Sequence, residues 1–133
     1  MLRTHGLTHV ALAVRDPDRS ARFYAEVFGA VVVYRSEGFV QVQTPGSRDV
    51  IVLQTDAENA GKAGGVAHFG FRLVSAEDID AAAEAVAKAG GTILQRGEFG
   101  PGEPFLFLAD PDGYDVEIWY EPPTPLDPEP PTA

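Results

Sequence analysis

The 133 residues include no cysteine, one methionine, one tryptophan and three histidines. Without cysteine there is no disulfide, no thiolate zinc site and no cysteine nucleophile, so metal chemistry would have to rest on histidine and carboxylate. Positive charge is scarce too: ten Lys and Arg stand against twenty Asp and Glu, a net charge of −10. No basic cluster interrupts that excess, which disfavours contact with a phosphate backbone and predicts no nucleic-acid partner. The longest apolar runs, residues 30–34 and 104–109, are far too short to cross a bilayer, so no membrane partner is expected. The segment Met1-Leu2-Arg3-Thr4-His5-Gly6 does not lead into the apolar stretch of a secretory signal. The expected address is the cytoplasm.

What is present is a globular composition, 44% hydrophobic and 23% charged, at a length that suits one domain or two half-size repeats sharing a core. Residues 121–133 hold six of the eleven prolines, with Leu126 and Ala133 as their hydrophobic side chains. Little there can be buried and proline removes backbone donors, so this acidic tail is expected to be extended or disordered. Residues 1–120 form the expected domain.

Residues 8–14 alternate, with Val10, Leu12 and Val14 on one face and His9, Ala11 and Ala13 on the other, the pattern of a half-buried strand. Asp16-Pro17 then reads as a helix cap with proline at the first position, and Phe23, Tyr24, Val27 and Phe28 form an apolar stripe that stops at Gly29. Strand-like runs follow at 30–35, 39–44 and 50–55, separated by turn chemistry. The order is βαβββ.

After the connector Gly61-Lys62-Ala63-Gly64-Gly65 the same order begins again. A strand from His68 to Val74 leads to a helix capped by Ser75 with Asp78 three residues on, carrying Ile79, Ala82, Ala83 and Val86 and ending at Gly90-Gly91. Strands at 92–95, 104–109 and 114–120 complete a second βαβββ unit. The caps Asp16 and Ser75 each lie seven residues after His9 and His68, which gives the two histidines equivalent places in a repeat. The expected class is α+β, with modules near 5–57 and 65–120.

The strand from His9, the helix stretch Ser20-Ala21-Arg22-Phe23-Tyr24, the strand from His68 and the motif Asp110-Pro111-Asp112-Gly113-Tyr114-Asp115-Val116-Glu117 together resemble the vicinal oxygen chelate superfamily. This is the glyoxalase, bleomycin-resistance and dioxygenase group, and the resemblance covers about residues 5–120. It implies paired modules forming a U-shaped mixed-sheet cleft, a homodimer, and a divalent metal held by His9, His68 and Glu117. Alternation agrees with that ligand set: His68 shares a face with Gly70 and Arg72, and Glu117 shares one with Asp115 and Trp119, while the opposite faces are apolar. Two imidazoles and a carboxylate suit Fe, Mn, Ni, Co or Zn and leave positions for water or a bidentate substrate.

Arg72 is a candidate for pairing with a substrate carboxylate or phosphate, and equally for an ion pair with a neighbouring acid. Phe105, Phe107 and Trp119 are placed to line a cleft and stack on an apolar substrate, though core packing explains both Phe equally. His5 reads as exposed.

Glyoxalases of this superfamily add a fourth ligand from the last strand of the first module. Here Val52 takes that place, with Gln54 on the same face as a substitute after a slip of two residues. Fosfomycin-modifying members carry a threonine two residues after the first ligand, where this chain has Ala11. Extradiol dioxygenases use two His and one Glu on iron, but with a further His as acid–base. The resemblance therefore implies a metal-dependent enzyme acting on a small molecule with vicinal oxygens, as a lyase, isomerase or dioxygenase. The alternative is a non-catalytic antibiotic-binding protein of the bleomycin-resistance kind. Whether the ligands meet within one chain or across two is left open.

Overall fold

A computed structural model describes residues 1–128. The chain divides into two compact units, the first Met1–Ala60 and the second beginning at Gly61. Among the described residues no helix is long and apolar enough to cross a membrane.

The first unit runs β1 (His9–Val14), α1 (Pro17–Phe28), β2 (Val31–Ser36), β3 (Phe39–Gln43) and β4 (Val50–Thr55). Its sheet has the order β1-β4-β3-β2, with β1 parallel to β4 and the other pairs antiparallel. The Asp16 carboxylate accepts from the N–H groups of Asp18 and Arg19 at 3.0 and 3.2 Å, satisfying donors that the first helical turn leaves open. At the other end Gly29 takes the left-handed conformation at φ 70°. Its N–H donates to the Ala25 carbonyl, the 5→1 closure of an αL cap, and the Ala30 N–H donates to the Tyr24 carbonyl. The helix buries Ser20, Ala21, Phe23 and Tyr24. Leu12, Val14, Val40, Val42, Ile51 and Leu53 are buried in the sheet, and register and alternation place all six on one face. That face is the core of the unit.

The second unit repeats the plan with β5 (Phe69–Arg72), α2 (Ile79–Lys88), β6 (Thr92–Glu98), β7 (Pro104–Ala109) and β8 (Asp115–Trp119), in the order β5-β8-β7-β6. Again the first and last strands are parallel and the rest antiparallel. Leu106, Leu108, Val116, Ile118 and the α2 residue Val86 are buried.

Several boundaries differ from the sequence expectation. β5 is shorter than 68–74, because its partner β8 ends at Trp119 and the last bond across is from the Leu73 N–H to the Trp119 carbonyl. Ser75 does cap a helical segment, accepting from the Glu77 N–H, but the first turn is a 3₁₀ turn, Ala76–Asp78, and the α-helix begins at Ile79. β6 runs to Glu98 rather than stopping at Gln95, because β7 continues to pair with it through Gly97 and Glu98.

The edge strands β2 and β6 each carry an irregularity at the same place in the repeat. Pairing shifts between Val32 and Tyr34 in β2 and between Ile93 and Gln95 in β6, leaving Val33 and Leu94 as the extra residues. Bulges of this kind twist an edge away from regular pairing.

Candidate functional site

The turn before β8 sets where Glu117 stands. The Asp110 carboxylate accepts from the N–H groups of Asp112 and Tyr114, both at 3.0 Å, and the Gly113 N–H returns to the Asp110 carbonyl. Gly113, at φ 95°, takes the positive dihedral this turn needs. β8 then enters in a register that places Gly70 opposite Glu117 on one side and Phe107 opposite Glu117 on the other. The next row on that face is Arg72, Trp119, Phe105 and Gly97.

On this face His68 and Glu117 meet. His68 Nε2 lies 3.6 Å from Glu117 Oε1; the carboxylate side chain is 12% exposed and the imidazole 39%. The His68 ring stands edge-on to Phe107 with centroids 4.9 Å apart, which restricts how the imidazole turns. Gly70 lets Trp119 lie against Glu117: a Cβ there would come within 2.9 Å of Trp119 Cζ3, 3.0 Å of the Glu117 carbonyl and 3.3 Å of Glu117 Cβ. The indole therefore crosses the strand where a side chain is missing.

Aromatic rings continue from His68 along the face. Phe105 and Phe107 pack at 5.7 Å, and Phe99 stacks on Phe105 at 4.3 Å with ring planes 20° apart. A Cβ at Gly97 would meet the Phe105 ring at 2.9 Å, so this second glycine seats Phe105. Phe105 is buried, and Phe107 and Trp119 are half-buried. Phe99 was not among the expected site residues, since its position follows from the extension of β6.

Arg72 is engaged by its own chain. Its Nη1 and Nη2 donate to the two carboxylate oxygens of Asp127 at 3.2 and 3.0 Å, and Nη2 donates to the Pro122 carbonyl at 2.9 Å. Glu121 Oε1 is 3.8 Å from Nε. The hydrogen bond to Asp127 raises the Arg72 pKa, and the same bond, with the Thr124 N–H, holds the Asp127 carboxyl below its ordinary value. Of the two readings of Arg72, the ion pair is the one present. Its partner lies in the segment expected to be extended or disordered; as far as Pro128 that segment is tied back, and residues 129–133 lie outside the described residues.

In the first unit His9 opens β1 opposite Val50, exposed at the strand start. Ala11 faces Val52 and Ala13 faces Gln54. Matching Ala11–Val52 with Gly70–Glu117 makes Val52 the counterpart of Glu117 and Gln54 that of Trp119. The structure thus brings together two of the three expected ligands, His68 and Glu117, while His9 belongs to the other unit; among the described residues no group of three is assembled. His5 is exposed.

Residues 6–118 match the model of the Glyoxalase/Bleomycin resistance protein/Dioxygenase superfamily. A putative lactoylglutathione lyase of Brassica oleracea var. gemmifera is 32% identical over 129 residues, covering 88% of this chain and 45% of its own length. The chain thus spans less than half of that relative. A probable lactoylglutathione lyase of Vibrio parahaemolyticus is 31% identical over 124 residues, covering 84% of this chain and 88% of its own. Among solved structures, a glyoxylase/bleomycin resistance protein/dioxygenase domain from Frankia superposes with a TM-score of 0.74 at 28% identity, covering 90% of this chain and 94% of that one.

Proposed function

This chain belongs to the glyoxalase/bleomycin resistance protein/dioxygenase superfamily, and from that premise we propose that it is a divalent-metal-dependent enzyme acting on a small molecule with vicinal oxygens. His68 and Glu117 are two of the metal ligands in this reading, and His9 is the third.

The observation that carries it is the 3.6 Å approach of His68 Nε2 to Glu117 Oε1. Imidazole nitrogen and carboxylate oxygen each bind a first-row divalent ion at about 2.0–2.2 Å, so two donors sharing one ion stand roughly 3–4 Å apart, and this pair fits. The set of nitrogen and oxygen donors, without sulfur, suits Fe, Mn, Ni, Co or Zn. When bound, such an ion supplies Lewis-acid polarisation of substrate oxygens.

The chain's own residues do the rest. Phe107 holds the His68 ring in place, and Gly70 lets Trp119 lie beside Glu117, so the pair is preorganised. Phe107 and Trp119 offer half-buried aromatic surface to the carbon skeleton of a substrate. Val52, the counterpart of Glu117, provides no carboxylate in the first unit, which argues against a proton shuttle based on a carboxylate there. Gln54 offers an amide on the same face for binding rather than for proton abstraction. A homodimer fits the same reading, supported by the exposed edge residues Val31, Val32, Val33 and Tyr34. A cytoplasmic address belongs to the same proposal.

The test is elemental analysis of tag-free protein purified without chelators, with thermal melts in Fe(II), Mn(II), Co(II), Ni(II) and Zn(II). Near-stoichiometric metal, or a clear rise in Tm with one ion, supports the proposal through the linkage of binding to folding. No metal and no shift overturns it in favour of a metal-free binding protein.

A further inference from the structure

The register of the second unit places Arg72 two residues beyond Gly70 on the same face, about 7 Å along the strand. The face that carries His68 and Glu117 therefore also carries a guanidinium. Among the residues paired across that face, Gly70, Arg72, Phe105, Phe107, Glu117 and Trp119, it is the single cation, in a chain of net charge −10.

What occupies this cation is a carboxylate in fork-on-fork geometry. Asp127 meets both terminal nitrogens of Arg72, and its oxygens also receive the Thr124 N–H at 2.9 Å and the Thr124 hydroxyl at 3.0 Å. From this segment Glu121, Pro122 and Asp127 all reach Arg72. Apolar burial adds little to the hold, since Leu126 is 93% exposed. The segment is a strap held at Arg72, with the Asp127 carboxylate as its bidentate hold beside the Glu121 carboxylate and the Pro122 carbonyl. The same fork accepts two oxygens of any carboxylate, phosphate or phosphonate with equal geometry.

We propose that Arg72 is an oxyanion subsite whose resident occupant is Asp127, and that the anionic group of a small-molecule ligand displaces Asp127 and releases the strap of residues 121–128. The inference rests on the proposed function only in taking that anionic group to belong to the molecule handled at His68 and Glu117. It predicts a substrate or ligand that carries an oxyanion beside its vicinal oxygens.

Trp119, the single tryptophan, is the register partner of Arg72, so its fluorescence reports on the subsite. The experiment titrates inorganic phosphate, and separately acetate, into chelator-treated full-length protein at constant ionic strength. The amide resonances of Thr124, Leu126 and Asp127 are followed in parallel. Asp127→Asn is expected to bind phosphate about tenfold more tightly than wild type, because a charge-assisted competitor is gone. Thr124→Ala, which loosens the seat of the carboxylate without touching Arg72, is expected to fall between them. Arg72→Gln is expected to lose the saturable response, and phosphate is expected to shift the three amides in wild type toward their positions in Arg72→Gln. Equal affinities in wild type and Asp127→Asn, a saturable response kept by Arg72→Gln, or binding that leaves the three amides unmoved overturns the proposal. Because the titration is run without metal, its failure leaves the metal reading standing, and absence of metal from the purified protein leaves the subsite standing.

Discussion

Glu117 Oε1 stands 3.6 Å from His68 Nε2, and Gly70, opposite Glu117 on the neighbouring parallel strand, leaves the space beside Glu117 that the Trp119 ring fills. Two strands distant in sequence thus present a nitrogen and an oxygen donor to one point. The surrounding rings of Phe107 and Trp119 keep them there.

Replacing either donor separates metal binding from folding. His68→Ala and Glu117→Ala are each expected to lower metal affinity by more than about tenfold with a small change in Tm of the metal-free protein, measured by calorimetric titration and melting. His5→Ala is expected to leave metal binding unchanged. Equal behaviour of all three variants contradicts the ligand set.

Gly70→Ala acts on the same point from below. A Cβ at this position meets the Glu117 carbonyl at 3.0 Å and the Trp119 ring at 2.9 Å, so overpacking is expected to cost about 1–3 kcal/mol and to weaken metal binding together with stability. Denaturant melts and metal titration read the two effects, and an unchanged protein would show that the strands give way freely.

Asp110→Ala removes the acceptor for two backbone donors in a buried turn, the N–H groups of Asp112 and Tyr114. The expected loss is about 2–3 kcal/mol, with Glu117 displaced as β8 loses its start. Urea unfolding gives the first quantity and metal affinity the second.

The Arg72–Asp127 fastening has a defined response to acid. Asp127 is held below its ordinary value by Arg72 and Thr124, so the fastening is fully present above the unfolded carboxyl value of about 3.9. It is lost as pH falls through the lower folded value. The Thr124 and Asp127 amides, followed from neutral pH downward, are expected to hold their positions through the ordinary carboxylate range and to move only below it. Asp127→Asn should abolish that transition; a midpoint at or above the ordinary value contradicts the contact.

Much of the architecture was legible because its signals are local. Asp16-Pro17 and Gly29 bound a helix through bonds made within one turn, and the alternation in residues 9–14 and 50–55 sorts each strand into a buried and an open face. The site was legible in part. Alternation put Gly70 and Arg72 on one face of their strand and Glu117 and Trp119 on one face of theirs, and the register joins the two faces. Alternation is silent on which groups from distant segments meet there, so neither the stacking of Phe99 on Phe105 nor the partner of Arg72 was foreseen.

From its sequence alone this chain is a cysteine-free, acidic pair of βαβββ repeats with histidines at matched positions, since period, caps and spacing depend on neighbours a few residues apart. Tertiary structure decided the rest: the parallel pairing that sets Gly70 against Glu117, the edge bulges at Val33 and Leu94, and the capture of Asp127 by Arg72. Each of these depends on which backbone stands beside which after folding. No local pattern records a distance between residues so far apart along the chain.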